Sequence, residues 1–186
     1  MKCKVCRTPF ERTSIGHKAC SIDCALVLAR TSREKSERCE RKKRLTELKT
    51  RSQWMKEAQA AFNKYVRIRD HGKPCICCGK PLVGGAVGGA YDCGHYRSVG
   101  SAPHLRFNPN NAHGQLKQCN RWGSGRAVDY RIGLIQRIGL EAVEELESDN
   151  SVRKYTIPEL KEIKQKFSQM AKELDGAKYE QTIFTG

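Results

Sequence analysis

Cys75-Ile76-Cys77-Cys78 opens the stretch that decides the fold, and Asp92-Cys93-Gly94-His95, Asn111 and Cys119-Asn120 complete it. Thiols in knuckle spacing, a lone histidine and two asparagines describe a small metal-stapled module rather than a large apolar core. Cys75 and Cys78 form one knuckle, between Pro74 and Gly79. Cys119 stands where a second knuckle is due, but the residue three before it is Leu116. Cys93 is the natural replacement, giving a tetrathiolate of Cys75, Cys78, Cys93 and Cys119 and leaving Cys77 spare. A three-cysteine site completed by His113, or no metal at this place, are the alternatives.

His95 follows Cys93 by two residues, so on an extended strand both share a face. A neutral imidazole takes a proton from water near pH 7. Asn111 is placed to orient that ring or to brace the loop. Asn120 and Asp92 offer the oxygen donors that Mg2+ or Mn2+ prefers, and such a cation suits the charge developing on a phosphate. The chemistry suggested is phosphodiester hydrolysis.

A second cluster lies at the start of the chain. Cys3 and Cys6, then Cys20 and Cys24, have the spacing of a closed four-thiolate zinc site, with His17 as a substitute ligand. Four protein ligands leave no position for substrate, so this site is structural. The chain is thus expected to hold about two Zn2+ ions, one per cluster.

Composition points the same way. Among 186 residues, 35 Lys and Arg face 20 Asp and Glu, a net charge of +15. That excess matches a polyanionic partner, a nucleic acid. No run approaches the roughly 18 apolar residues of a membrane span. Met1-Lys2-Cys3-Lys4 leads into no apolar signal core. A cytoplasmic setting keeps thiols reduced, which favours metal ligation over disulfides.

Between the clusters, residues 25–50 contain neither Gly nor Pro and include Arg41, Lys42, Lys43 and Arg44. Mixed charge signs predict a solvated helix with i to i+4 pairs, serving as a spacer or as a phosphate-tracking arm. A second helix is expected from an N-cap at Ser52, burying Trp54, Ala58, Ala61, Phe62, Tyr65 and Ile68. Residues 71–74 end it, and Gly84-Gly85-Ala86-Val87-Gly88-Gly89 reads as a turn between two short strands. Helices follow over 128–138 and 141–147. Thr156-Ile157-Pro158-Glu159 caps a last helix with a stripe of Ile157, Leu160, Ile163, Phe167, Met170 and Leu174.

The central pattern resembles the HNH endonuclease module, a β-hairpin followed by a helix around a cation. Its histidine, asparagine and final ligand positions match His95, Asn111 and Asn120; Asn111 lies five residues before Leu116 and nine before Asn120. More broadly, the chain resembles the NinG (Rap) recombination proteins of lambda-like phages. The likeness runs through Met1-Lys2-Cys3-Lys4-Val5-Cys6, Lys73-Pro74-Cys75-Ile76-Cys77-Cys78-Gly79, Gly94-His95-Tyr96-Arg97, Leu105-Arg106-Phe107, Cys119-Asn120, Ser124-Gly125 and Tyr155-Thr156-Ile157.

The resemblance implies a metal-dependent endonuclease that selects branched recombination intermediates such as Holliday junctions and D-loops. It sets that activity in phage recombination within the host cytoplasm, with branched or double-stranded DNA and phage or host recombination proteins as partners. Paired cutting of a symmetric junction would favour a homodimer. Catalytic candidates are His95, Asn111, Asn120 and His113; DNA-contact candidates are Arg41, Lys42, Lys43, Arg44, Arg97 and Arg106. Two departures stand out: Leu116 in place of a cysteine, and Gly94 where many such modules carry an acidic ligand. The alternative is a non-catalytic, zinc-containing DNA-binding recombination mediator.

The expected architecture is an α-rich α+β fold. It divides into an N-terminal zinc knuckle (1–28), a basic helical connector (29–70), an HNH-like ββα-metal module with its own zinc knuckle (71–130) and C-terminal helical support (131–186).

Overall fold

A computed structural model describes residues 1–84, 89–123 and 125–184, with side-chain surroundings up to residue 176. Ser124 and residues 85–88, the middle of the expected glycine turn, lie outside the described residues. The chain forms two compact units, Met1–Lys49 and Thr50–Gly186, so the boundary falls inside the segment read as a connector.

The first unit is a knuckle followed by α1 (Ile22–Glu47). The Ser21 hydroxyl caps α1 by accepting from the Cys24 amide at 3.2 Å. No residue of α1 is buried. Arg30–Glu34 at 3.1 Å and Arg33–Glu37 at 2.9 Å are the anticipated i to i+4 pairs. Exposed pairs contribute only a few tenths of a kcal/mol each, so α1 owes its form to propensity and length. Cys3 and Ala19 are the buried apolar residues described in this unit.

The second unit owns the core. It starts with α2 (Arg51–Asp70), whose N-cap is Thr50 rather than Ser52. The Thr50 hydroxyl accepts from the Gln53 amide, and the Gln53 side chain returns a bond to the Thr50 amide at 2.8 Å. This reciprocal box satisfies two otherwise orphaned donors, which Ser52 inside the first turn could not. Trp54, Ala58, Phe62, Tyr65 and Ile68 are buried as the spacing predicts, joined by Val66.

Their partner is α5 (Ile157–Phe184), begun by the Thr156–Glu159 box with bonds of 2.7 and 3.4 Å. Leu160, Phe167 and Ala171 complete the shared cluster. Phe62 meets Phe167 edge-on with ring centroids 4.8 Å apart.

Against α2 lies an antiparallel pair, β1 (Tyr91–His95) and β2 (Ala112–Leu116). The register pairs Cys93 with Gly114 and His95 with Ala112. A single π-helical turn (Gln118–Trp122) leads from β2 to α3 (Ala127–Ile138). α3 and α4 (Leu140–Ser148) are split at Gly139, whose φ of +87° suits glycine. A second cluster of Ile76, Leu105, Tyr130, Leu134, Val143 and Leu146 packs α3 and α4 beneath the central knuckle. The fold is α-rich α+β as expected.

Candidate metal centres and the histidine site

Residues 2–9 build a tight loop around Cys3 and Cys6. The Cys3 amide donates to the Thr8 carbonyl at 2.9 Å, and the Arg7 amide donates to the Cys3 carbonyl at 3.1 Å. Lys2 bridges to Pro9 in an isolated antiparallel pair. Arg7 itself sits in the left-handed region, φ +64°. The loop delivers Cys3 and Cys6 to Cys20 and Cys24, all four sulfurs lying within 4.8 Å of one another.

Cys6 and Cys20 are 3.3 Å apart, Cys20 and Cys24 3.8 Å. Sulfurs at about 2.3 Å from one zinc ion would be about 3.8 Å apart on a tetrahedron, so the donor set fits that ion. Crowding splits the thiols: hydrogen bonds centred on the Cys6 backbone hold Cys3 down to about 6, while the Cys6 side chain pushes Cys20 up to about 12. A bound cation is what allows four such neighbours to ionise together. His17 is not among them; its ring hydrogen-bonds the Thr13 hydroxyl at 3.0 Å.

Residues 74–81 repeat the loop. The Cys75 amide donates to the Lys80 carbonyl at 2.8 Å, the Gly79 amide to the Cys75 carbonyl at 3.1 Å, and Pro74 bridges to Pro81. Here three sulfurs gather, those of Cys75, Cys78 and Cys119. The expected fourth ligand, Cys93, stands elsewhere. Strand alternation puts it on the face that packs into the α2–α5 cluster, where burial pushes its thiol up to about 12.

Leu116 lies against the three sulfurs instead, and its amide donates to Cys75 Sγ at 3.3 Å. Cys77, spare in the sequence reading, borders Cys75 and accepts from Gln115 Nε2 at 2.8 Å. His113 completes no metal site either.

Gln115 also explains Gly94. A Cβ at residue 94 would come within 2.1 Å of the Gln115 side-chain oxygen, and Gln115 is buried and bonded to Cys77 and to the Gly125 carbonyl. An acidic residue at 94 has no room while Gln115 holds this place.

His95 ends β1 on the Cys93 face, its ring centroid 5.9 Å from that of Phe62. Its Nε2 lies 3.0 Å from the Arg106 carbonyl oxygen. A carbonyl only accepts, so Nε2 carries the hydrogen and Nδ1 is the basic nitrogen. Burial lowers the pKa and keeps the ring neutral at pH 7. Nδ1 has no hydrogen-bond partner among the described residues. His104 Nδ1 is the one buried side-chain nitrogen left unsatisfied among them.

Asn111 is the brace of this loop. Fully buried, it donates from Nδ2 to the Arg97 and Leu105 carbonyls at 3.0 and 3.3 Å and accepts from the Arg97 amide at 2.9 Å. It therefore fixes the residue next to Arg106, and through Arg106 the imidazole of His95.

The other candidates part company with them. Asp92 is three residues from His95 on the same strand and so faces the other way, with Oδ2 accepting from Arg121 Nε at 2.9 Å. No carboxylate stands beside His95 among the described residues with which it could share a cation. Asn120, on the π-helical turn, is half-buried and its amide has no described partner.

His113 is buried with both nitrogens engaged, Nε2 on the Asn110 carbonyl at 3.1 Å and Nδ1 with Arg69 at 3.1 Å, which leaves neither for a phosphate. Arg97 turns inward and ties β1 to the carbonyls of Leu146, Glu147 and Asp149 at the end of α4. Arg106 bonds Gln59 Oε1 at 3.1 Å. Arg41, Lys42, Lys43 and Arg44 remain exposed on α1.

Asp70 escaped the sequence reading. It follows Phe62 and Val66 at four-residue steps on the buried face of α2, and it is fully buried. Arg69 at 2.8 Å, Lys73 at 3.4 Å and the Gly114 amide at 2.8 Å surround it, with Arg137 and His113 each at 3.7 Å. Burial would raise its carboxyl, but the Arg69 guanidinium and the Gly114 amide, both donating to it, hold it far below the ordinary range. The signal was a carboxylate at a stripe position with arginine beside it, and it pins α2 to β2 and α3.

No helix among the described residues is long and apolar enough to cross a membrane. The family described as Bacteriophage Lambda NinG protein matches residues 1–177. Protein ninG of Escherichia phage lambda is 40% identical over 193 residues, covering 94% of this chain and 92% of that protein. Protein ninG of Escherichia phage 933W is 39% identical over 197 residues, 96% of each chain. Protein ninG of Salmonella phage P22 is 39% identical over 193 residues, 94% of this chain and 93% of its own. No solved structure matches. With both cysteine knuckles and the His95 loop inside the matched span, the chain belongs to the NinG family.

Proposed function

We propose that this chain is a structure-selective DNA endonuclease that cuts branched recombination intermediates, Holliday junctions and D-loops, in phage recombination in the host cytoplasm. The observation that carries the reading is His95: a neutral ring, oriented by the Arg106 carbonyl, with Nδ1 bonded to none of the described residues. In the reaction, a water oxygen bonds to phosphorus, its proton passes to Nδ1, and one P–O ester bond breaks as the leaving oxygen is protonated. The strand–strand–helix order of β1, β2 and α3 is the order of an HNH module.

A divalent cation, Mg2+ or Mn2+, would stabilise charge on the phosphate. Asn120 is the oxygen donor still uncommitted. Asp92 is engaged by Arg121, so the described residues do not assemble a cation cage. Arg41, Lys42, Lys43 and Arg44 supply exposed charge for the DNA backbone.

The missing carboxylate favours a second reading, a zinc-containing DNA-binding mediator without catalysis that assists phage or host recombination proteins. Both readings include DNA binding, so cleavage separates them. A four-way junction incubated with Mg2+ or Mn2+ should be nicked by the parent protein, and His95→Ala should lose about 10²–10⁴-fold in rate with affinity little changed. His95→Ala cutting at the parent rate would overturn the catalytic assignment, and a parent protein that binds but never cuts would establish the mediator. Cuts placed symmetrically on opposite arms would indicate a homodimer.

A further inference from the structure

A groove of about 650 Å3 runs between the N-terminal knuckle and the first half of α1. Leu28, Ser32 and Lys35 face it from α1, at steps of four and three that place them on one side of the helix. Lys4 and Lys18 line the knuckle side. The Lys4 amide donates to the Lys18 carbonyl at 3.1 Å, which fixes their two segments side by side.

No acidic residue lines this groove. Of the α1 acids nearest Lys35, Glu34 pairs with Arg30 and Glu37 with Arg33, and Asp23 in the first turn is not among the lining residues. Lys4, Lys18 and Lys35 have no acidic partner among the described residues. Three ammonium groups around one concavity create a positive potential that an anion relieves. Flexible lysines are point charges without the fixed fork that clamps one small anion. Spread over an apolar floor, they suit the repeated charges of a polymer. The face from Ala25 to Lys35 is about 15 Å long at 1.5 Å per residue, room for several successive phosphates.

We infer that this groove takes the phosphodiester backbone of a DNA strand, as a contact additional to Arg41, Lys42, Lys43 and Arg44. The inference rests on the reading that the chain acts on DNA. Single strands and duplex arms share this chemistry, and the test separates them.

The full chain with Lys4→Ala, Lys18→Ala and Lys35→Ala is compared with the parent and with a variant neutralised at Arg41, Lys42, Lys43 and Arg44. Affinity for a labelled single strand and for a duplex is measured across a salt series. The groove variant should flatten the slope of log affinity against log salt by about 0.9 per lost contact on duplex, or about 0.7 on a single strand. The larger loss identifies which form occupies the groove.

Zinc content should stay at the parent level, and the Lys→Arg triple should restore the slope. An alanine triple with the parent slope and affinity, while the arm variant loses both, would overturn the groove and spare the DNA reading. A parent that binds no DNA would sink both. Loss of binding to polyglutamate with DNA affinity intact would reassign the groove to an acidic protein and overturn the inference.

Discussion

Residues 2–9 and 74–81 fold into one and the same loop, yet they sit in opposite surroundings. In both, the first cysteine amide and carbonyl are tied to residues five and four further on, and a proline closes the outer bridge. The first copy gathers four sulfurs with only Cys3 and Ala19 buried nearby. The second gathers three, covered by Leu82, Tyr91 and Leu116. A metal knuckle is therefore a local backbone device, and its dependence on the ion is set by what packs on it. Where apolar burial is scarce, a bound ion would supply the folding energy; where a core exists, sulfur and leucine can share the task.

The strongest way to break this comparison is to remove zinc. Structural zinc contributes on the order of 10–16 kcal/mol to small modules at pH 7. A chelator, or Cys20→Ser, should abolish amide protection in residues 2–20 while α2 and α5 keep theirs and still unfold cooperatively. Hydrogen exchange read by mass spectrometry resolves the two units. Equal loss in both, or none in the first, would show that the two knuckles do not differ in their dependence on the ion.

This contrast also shows what a sequence can and cannot carry. The four thiols of the first unit were legible because their partners are close along the chain and no core competes for them. Cys93 was misplaced because spacing alone could not say which face of β1 meets α2. That choice is made by Phe62, 31 residues before Cys93. Asp70, His113 and Arg137 form one buried ion cluster assembled from α2, β2 and α3. Neither periodicity nor motif brings such distant charges together. Gly94 looked like a lost ligand and is instead the gap that Gln115 fills. Arg97 and Arg106 looked like free cations until the end of α4 and Gln59 claimed them. Asn111 was open between two roles in sequence, and its three backbone bonds decide for the brace.

A smaller effect should follow from making the copies more alike. Leu116→Cys puts a thiol where the sequence expects one, beside Cys75, Cys78 and Cys119. Zinc in the second unit should then resist chelator competition better than in the parent, with zinc content rising toward two ions per chain. The metal-free protein should lose roughly 1–2 kcal/mol, because a half-buried leucine gives up apolar contact. If zinc affinity does not rise, the fourth position already has an occupant in the parent, and the three-sulfur description of the central knuckle fails.

The smallest effect lies in one pair of equivalent residues. Arg7 and Gly79 hold the same place in the two loops, at φ +64° and +72°. Only glycine takes that conformation without strain; an L residue there costs roughly 1–2 kcal/mol. Nothing lies within 4 Å of a Cβ added at Gly79, so conformation alone sets the cost. Gly79→Arg should lower stability by about 1 kcal/mol, a Tm shift of roughly 2–4 °C for a chain of this size. Arg7→Gly should relieve the same strain but add freedom to the unfolded chain, leaving a net change within about 0.5 kcal/mol. Calorimetry of the zinc-loaded proteins compares the two substitutions directly. Equal and opposite shifts would mean that the surroundings contribute nothing and the loops are interchangeable. The expected inequality would show that the same backbone conformation costs differently in the two loops, so that their surroundings differ in what they tolerate.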